Sequence, residues 1–146
     1  LIDVSGIGLK SDFHGRPFAD AVMAPTRIYV KPLLALMEKL SVKGMAHITG
    51  GGITGNLPRC LPDNVAARVD PTSWTRLPLF DWLQQAGNVE PAEMLRTFNC
   101  GIGMCVVVAE SDAATAMAHL QASGETVWRI GEIVARPAGA EQVLYS

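Results

Sequence analysis

The sequence predicts an α/β (α+β) domain in which a mixed β-sheet packs with helices. Apolar residues recur at helical spacing in two segments, 30–40 and 113–120, which is typical of helices with one buried face. Residues 101–109 form a nearly unbroken apolar run rich in valine, which is typical of a buried strand. Shorter strand candidates lie between these segments, so helices and strands alternate as they do in layered α/β domains.

The composition indicates one domain with a buried core, because the 146 residues are 49% hydrophobic and 18% charged. The net charge of −2, with 12 Lys and Arg scattered along the chain, argues against nucleic-acid binding. No apolar stretch approaches the length of about 18 residues that a membrane span needs. The opening residues lack the basic start and apolar centre of a signal peptide. We therefore expect a soluble cytoplasmic protein with no membrane partner.

The first third of the chain contains one well-defined helix. Residues 1–9 have helical spacing but no preceding cap, so the chain is expected to begin inside a helix, as a fragment would. Residues 10–27 read as a loop with a short turn near 19–23. A stripe of five apolar residues then predicts a helix over 30–40, with Gly44 just past its end. The stripe comprises Val30, Leu33, Leu34, Met37 and Leu40.

The middle of the chain reads as alternating short elements. A strand over 45–49 leads into Gly50-Gly51-Gly52 and a proline-interrupted helix that reaches Leu61. A second strand is predicted over 66–70. Helices follow over 79–86, stopped by Gly87, and over 91–98, with proline at the first position of the second helix.

The last third should contain the centre of the sheet. The run 101–109 predicts a central strand buried on both faces, so that every side chain from Met104 to Val108 is buried. Ser111 is a good N-cap for the helix over 113–120, and Gly124 suits its C-terminal end. Strands are then predicted over 126–134 and 142–145, joined by a loop that contains Pro137 and Gly139.

Cys60, Cys100 and Cys105 predict neither a disulfide framework nor a zinc site, because their number is odd and no C-x-x-C spacing occurs. Cys100 and Cys105 lie an odd number of residues apart in a predicted strand, so they should lie on opposite faces. We expect the three thiols to be small core residues, and no metal ligand is predicted on this domain.

The strongest site candidate is the segment 46–59, which contains the three successive glycines. Glycines allow unusual backbone angles and can leave N–H groups uncovered, and the helix start that follows adds partial positive charge. A phosphate group is therefore the expected ligand. The alternative is a tight strand-to-helix turn that needs glycine for steric reasons alone.

Two nucleotide-binding motifs are disfavoured in this segment. Gly50, Gly52 and Gly55 fit G-x-G-x-x-G after a strand, and Asp70 lies 20 residues beyond Gly50. However, Pro58 and later Pro62 interrupt the segment that would have to be the long crossover helix. A P-loop is excluded because no Gly-Lys-Ser/Thr follows the glycines.

His47 lies on the strand that enters the glycine segment, where its ring would be near a bound anion. The alternative is a core histidine with a satisfied hydrogen bond. His14 and His119 read as solvated surface residues without a role. The three tryptophans, Trp74, Trp82 and Trp128, are scattered and read as core or interface residues.

A second site candidate is the segment 96–104, where a polar helix end meets the apolar run. Asn99 offers hydrogen-bond donors and an acceptor, and Gly101 and Gly103 permit close approach of a ligand or another backbone. The alternative is that Asn99 caps the helix while the glycines admit tight packing.

Five ordered sequence blocks resemble the C-terminal half of the aminoimidazole ribonucleotide synthetases, a family also called the phosphoribosylformylglycinamidine cyclo-ligases. The resemblance extends from residue 1 to about residue 133 and implies the α+β fold of that half. The blocks are Ala-Pro-Thr-Arg-Ile-Tyr-Val at 24–30, His-Ile-Thr-Gly-Gly-Gly at 47–52, Asn-Leu-Pro-Arg-Cys-Leu-Pro-Asp at 56–63, Gly-Asn-Val-Glu at 87–90, and Glu-Met-Leu-Arg-Thr-Phe-Asn-Cys-Gly-Ile-Gly-Met at 93–104.

The resemblance implies an ATP-dependent ring closure that converts formylglycinamidine ribonucleotide to aminoimidazole ribonucleotide, ADP and phosphate in purine biosynthesis. It also implies a homodimer in which an N-terminal domain, absent from this sequence, binds most of the ATP and Mg²⁺. This domain would be inactive alone. The resemblance also implies a cleft between the two domains, to which this domain contributes a catalytic residue, His47. The binding residues that it implies at the cleft are Thr49, Gly50, Gly51, Gly52, Asn56, Arg59, Asn99 and Gly101.

Two other functions share this fold and remain open at the level of sequence. One is a non-catalytic nucleotide- or phosphate-binding module. The other is a related ATP-using synthetase, since such enzymes make selenophosphate and thiamine phosphate or serve hydrogenase maturation. The Thr-Phe-Asn-Cys-Gly block at 97–101 favours the purine enzyme. An upstream domain with acidic metal ligands in the full gene would distinguish an enzyme from a binding module.

Overall fold

The computed structural model describes residues 2–146 and contains short helices and strands in alternation. The predicted helix start at residue 1 lies outside the described residues. The seven α-helices of this part of the chain are α1 Ile2–Ser5, α2 Phe18–Val22, α3 Val30–Met37, α4 Gly52–Asn56, α5 Pro78–Gly87, α6 Pro91–Thr97 and α7 Ala113–Ala122. The strands are β1 Asp12–Phe13, β2 Arg16–Pro17, β3 Val42–His47, β4 Val65–Val69, β5 Met104–Val108, β6 Gly131–Ala135 and β7 Val143–Tyr145. Short 3₁₀ helices follow α4 at Leu57–Cys60 and precede α7 at Glu110–Asp112.

The strands of the described residues form three small sheets rather than a single large one. β4 is the central strand of a mixed sheet, antiparallel to β6 and parallel to β7. β3 and β5 form an antiparallel pair with an irregularity near Gly44, and β1 with β2 forms a short hairpin. The α+β class and the mixed strand order are thus confirmed. Within residues 2–146, no helix has the length and apolar character needed to cross a membrane.

The main core lies between the β3–β5 pair and the β4 sheet, and α6 closes one side. Its fully buried members include Ile48, Ile53 and Met94, which are at most 2% exposed. A smaller cluster joins α3 to α7 through Leu36, Ala116 and Leu120. The two clusters lie near opposite faces of β5, because Val107 packs against the first and Val106 against the second.

Helix α3 is shorter than predicted and buries a different face. Leu36 is fully buried, whereas Val30, Leu34 and Met37 are 59%, 57% and 49% exposed. Gly44 lies inside β3 and is not a helix stop. The predicted stripe was therefore wrong in detail, because apolar residues extend around more of this helix than the cluster of Leu36, Ala116 and Leu120 buries.

Strand β5 is an edge strand, so the prediction of a central strand was wrong. Within the described residues it pairs with β3 alone. Cys105 is 6% exposed, but the other four side chains from Met104 to Val108 are only half-buried. The strand also begins later than predicted, because Cys100 and Gly101 have φ values of 48° and 103°, which form a turn.

The ends of α7 were predicted only in part. Gly124, at φ 84°, lies just past the helix, and the N–H groups of Gly124 and Glu125 donate to the carbonyls of Gln121 and Leu120. This is the double hydrogen bond of a Schellman cap. The predicted N-cap Ser111 lies inside the preceding 3₁₀ helix, and Asp112 occupies the cap position without a side-chain hydrogen bond.

Other boundaries differ by small shifts. Gly87 is the last residue of α5, and Asn88, with φ 45°, takes the left-handed position after it. Residues 10–27 contain the β1–β2 hairpin and α2, of which only a turn near 19–23 was predicted. Residues 126–130 were predicted as strand, but β6 begins at Gly131, where pairing with β4 begins.

Candidate functional site

The two candidate segments lie side by side. His47 is paired with Met104 across the β3–β5 pair, and the next N–H, of Ile48, donates to the carbonyl of Gly103 at 2.9 Å. The N–H of Gly51 reaches the carbonyl of Thr97 at 3.2 Å. The loop that contains Gly50–Gly52, called the glycine loop below, therefore packs directly against the turn that contains Asn99 and Gly101.

Glycine is a steric requirement at position 52. Gly51 and Gly52 have φ values of 97° and 59°, in the left-handed region that disfavours other residues. A Cβ on Gly52 would collide with the carbonyl oxygen of Leu95 and come within 2.7 Å of that of Phe98. The alternative that glycine is needed for steric reasons thus holds for Gly52, whose Cα lies in close contact with the end of α6.

The amides of the glycine loop are less available than predicted. Gly51 donates to Thr97 as above, and Gly52 donates to the carbonyl of Thr49 at 3.1 Å. The N–H of Gly50 has no hydrogen-bond partner in residues 2–146, and Gly50 is exposed. The expectation of uncovered glycine amides was therefore wrong for Gly51, which donates to the end of α6, and for Gly52, which donates within the loop.

Asn56 holds the loop in shape. Its side chain is 4% exposed, and its Nδ2 group lies 3.4, 3.2 and 2.8 Å from the carbonyl oxygens of Thr49, Gly50 and Gly52. The buried side-chain amide thus finds its hydrogen-bond acceptors in the carbonyls of the loop, as buried polar groups require. Its donor group is directed at the loop backbone.

Helix α4 is anchored to the C-terminal strand. The Thr54 hydroxyl oxygen lies 3.3 Å from the carbonyl of Leu95 and 3.0 Å from the hydroxyl of Tyr145. Burial raises the pKa of Tyr145, although the hydrogen bond with Thr54 acts in the opposite direction. These contacts were not predicted, because nothing in the local sequence links residue 54 with residue 145.

His47 is exposed, so the interpretation of a buried core histidine was wrong. Its ring lies edge-on to Tyr29, with 6.1 Å between the ring centroids. Tyr29 also occupies the space above Gly103, where a Cβ would come within 3.1 Å of its Cζ atom. Sequence reasoning missed Tyr29, although the predicted close approach at Gly103 was the signal of a neighbour there.

Asn99 shapes the second turn. Its Oδ1 accepts a hydrogen bond from the N–H of Gly101 at 3.0 Å, and the carbonyl of Cys100 accepts one from the indole N–H of Trp74, also at 3.0 Å. Asn99 therefore stabilises the turn after α6, which is close to the predicted capping alternative. The side-chain amide nitrogen has no hydrogen-bond partner in the described chain.

Arg59 supplies positive charge near the glycine loop. Its Nε donates to the carbonyl of Gly55 at 3.1 Å, which fixes the side chain along α4. Its two terminal nitrogens make no hydrogen bond within residues 2–146, and the residue is exposed. The guanidinium can therefore form a bidentate contact with a carboxylate or phosphate.

The cysteines have the predicted core character. Cys100 and Cys105 are buried and Cys60 is half-buried. Burial raises the pKa of Cys105 to about 12 and also raises those of Cys60 and Cys100. These thiols are therefore protonated and unreactive near neutral pH. Cys100 was predicted to lie in the strand, but it lies in the turn before β5.

The remaining acidic and histidine candidates lie elsewhere. Asp70 accepts hydrogen bonds from the N–H and hydroxyl of Thr72 at 2.8 and 2.6 Å, which lower its pKa and close an Asx-type turn. His14 is exposed as predicted, but His119 is half-buried and its Nε2 has no partner in the described structure. No group of three or more His, Cys, Asp or Glu that could hold a metal ion occurs within residues 2–146.

The fold and the site together define a class: an α+β domain in which a glycine-rich strand-to-helix turn shares one surface with a second polar turn. The family described as AIR synthase related protein, C-terminal domain, matches residues 3–143. The chain belongs to this family, which confirms the resemblance drawn from the five sequence blocks.

Several bacterial proteins are closely similar to the chain. It is 60% identical over 144 residues to the phosphoribosylformylglycinamidine cyclo-ligases of Methylobacillus flagellatus and Cupriavidus metallidurans, and 58% identical to that of Burkholderia cenocepacia strain HI2424. Each match covers 99% of this chain but only 41% or 42% of the relative. The chain thus spans about two fifths of the length of these relatives.

Proposed function

We propose that this domain is the C-terminal part of a phosphoribosylformylglycinamidine cyclo-ligase, a ligase of purine biosynthesis. The full enzyme would use ATP to close the imidazole ring of formylglycinamidine ribonucleotide, giving aminoimidazole ribonucleotide, ADP and phosphate. The observation that carries the proposal is the 60% identity over nearly the whole chain to relatives of that name.

The domain would contribute one wall of the active-site cleft. His47, Thr49 and Gly50 are exposed beside the glycine-rich turn, so they can contact a ligand directly. Arg59 is exposed in the 3₁₀ helix that follows α4, and its long side chain can reach a ligand from there. We assign an acid/base role to His47 and phosphate or substrate binding to the other three.

The other binding candidates have supporting positions in this proposal. Gly51 and Gly52 close the loop, Asn56 holds its carbonyls, and Asn99 with Gly101 shapes the facing turn. Their proposed contribution to binding is to hold the backbone around Gly50 in a shape that accepts an anion. Preorganised backbone groups of this kind bind charge without the cost of reordering.

ATP and Mg²⁺ are assigned mainly to the N-terminal domain, which the relatives' greater length implies. Within residues 2–146 there is no acidic cluster for the metal. The full enzyme is proposed to be a cytoplasmic homodimer. The isolated domain should bind phosphate or ATP weakly and hydrolyse no ATP, because positioning and charge neutralisation dominate phosphoryl transfer.

The test is steady-state kinetics and thermal unfolding on the full-length protein with His47→Ala and His47→Gln. If His47 moves a proton, both variants should lose turnover by about 10²–10⁴-fold, and glutamine should not rescue it because it cannot titrate near neutral pH. The melting temperature should stay unchanged, because the ring is exposed.

Two results would count against different parts of the proposal. Near-normal turnover of His47→Ala would remove His47 from the catalytic residues but leave the enzyme assignment intact. A full-length wild-type protein without cyclo-ligase activity would overturn the assignment itself and favour the binding module. Titration of the domain with phosphate, ATP and aminoimidazole ribonucleotide, monitored by the amide signals of Gly50–Gly52, would test the loop separately.

A further inference from the structure

Helix α3 exposes an apolar face to solvent. Val30, Leu34 and Met37 follow one another at i, i+4 and i+7 and so lie on one side of the helix. They are 59%, 57% and 49% exposed, and Ile28, just before the helix, is 80% exposed. A contiguous apolar patch of this kind is typical of an interaction surface, whereas single exposed apolar residues are ordinary.

Among residues 2–146 no element covers this face, since its three side chains are about half exposed or more. The opposite side of α3 already packs on α7 through Leu36, which contacts the cluster of Ala116 and Leu120. The apolar stripe of α3 is therefore wider than one packing partner requires. The exposed half is available for a second partner.

This face adjoins the candidate site. Tyr29 immediately precedes α3, and its ring lies beside His47 and above Gly103. Met45, two residues before His47 on the same side of β3, is also 37% exposed. A protein region that covers α3 would therefore also approach His47 from that side.

We propose that the exposed face of α3 is the docking surface for the N-terminal region of the full-length protein. This rests on the proposed function, in which that region supplies the other wall of the cleft. The part of the relatives that matches this chain is less than half of their length. The matching family describes a C-terminal domain, so the rest of the relatives' length is expected mainly on its N-terminal side. The docking partner must present an apolar patch, because Val30, Leu34 and Met37 offer no polar group for recognition.

Hydroxyl-radical labelling of the full-length protein tests the contact without any assay of activity. Leu34 and Leu77 are matched probes, since they are the same residue type and are 57% and 54% exposed in this domain. We expect Leu34 to be labelled several-fold less than Leu77 in the full-length protein, and equally in the 146-residue chain. Equal labelling of the two residues in the full-length protein would overturn the proposal.

Substitution gives a second measurement. Leu34→Asp should leave the melting temperature of the 146-residue chain unchanged, because the side chain is mostly solvated. In the full-length protein it should make the two regions separable by limited proteolysis, whereas Leu77→Asp should not. Resistance of Leu34→Asp to proteolysis equal to that of the wild type would contradict the proposal.

A second copy of the chain is the competing occupant. If the 146-residue chain dimerises in sedimentation analysis and Leu34→Asp makes it monomeric, the face belongs to a self-association surface and the proposal is overturned. A full-length protein that lacks cyclo-ligase activity but protects Leu34 would refute the proposed function and leave this docking surface standing.

Discussion

Gly52→Ala should destabilise the domain severely. Alanine at the left-handed φ of 59° costs about 1–2 kcal/mol. Its Cβ would also collide with the carbonyl of Leu95 and lie 2.7 Å from that of Phe98. Both groups are backbone atoms at the end of α6 and cannot rotate away, so overpacking adds about 1–3 kcal/mol. Together we expect a loss of about 2–5 kcal/mol in the free energy of unfolding.

Urea denaturation of the 146-residue chain, followed by far-UV circular dichroism, measures this loss. Gly55→Ala is the matched control, because Gly55 lies in the same helix, is exposed and has nothing within 4 Å of a Cβ. That control should be neutral or stabilising by up to about 1 kcal/mol, since alanine favours helix over glycine. If Gly52→Ala unfolds at the same urea concentration as Gly55→Ala, the close contact between α4 and α6 is wrong.

Two further stability predictions use the same assay. Asn56→Ala removes the donor that binds the carbonyls of the glycine loop, so the free energy of unfolding should fall by about 1–3 kcal/mol; a change below about 0.5 kcal/mol, the usual range of a surface substitution, would contradict its role. The pKa of Cys105 is about 12 in the fold against 9.0 for the free thiol, so the unfolded chain releases this proton first as the pH rises. The stabilisation is complete below pH 9 and is lost from pH 9 to 12, at on the order of 1.4 kcal/mol per pH unit. Cys105→Ala should flatten that slope in denaturation curves at pH 8, 9 and 10, and an unchanged slope would mean that the thiol is not buried in the folded protein.

Elements that depend on local signals were predictable from the sequence. Helix α7 was identified from its apolar spacing, and its C-terminal glycine, Gly124, does lie in the left-handed position of a Schellman cap. The strand–glycine–helix order around Gly50–Gly52 was likewise correct, because successive glycines permit a sharp turn between a strand and a helix and nearby prolines limit how far the helix extends.

Elements that depend on distant partners were not predictable. The apolar run 101–109 indicated the need for burial but not the number of neighbouring strands, and β5 pairs with β3 alone in the described structure. The stripe of α3 indicated an apolar helix but not which half of it α7 would cover. Sequence periodicity indicates which side chains favour burial, whereas their exposure also depends on which other elements pack against them.

The candidate site shows the same division. The glycine loop and Asn99 were visible as motifs, but the contacts that hold them came from elsewhere in the chain. Thr97 binds Gly51, and Tyr145 binds Thr54, across sequence distances that no local pattern encodes. Tyr29 was part of a recognised block, yet its position beside His47 follows only from the packing above Gly103.

The pairing of β3 with β5 affects when the cleft can form during folding. His47 and Met104 are neighbours across more than fifty residues of intervening chain, and Gly51 reaches Thr97 across more than forty. Contacts of such high sequence separation form slowly, because closing a long loop costs entropy before any contact compensates for it. The hydrogen bonds of a helix such as α7 join residues close in sequence, so this helix can form transiently before those contacts, although packing is needed to stabilise it. A newly made or damaged chain can therefore show some helical signal while the cleft is still unformed, and ligand binding is a stricter measure of a completed fold than that signal.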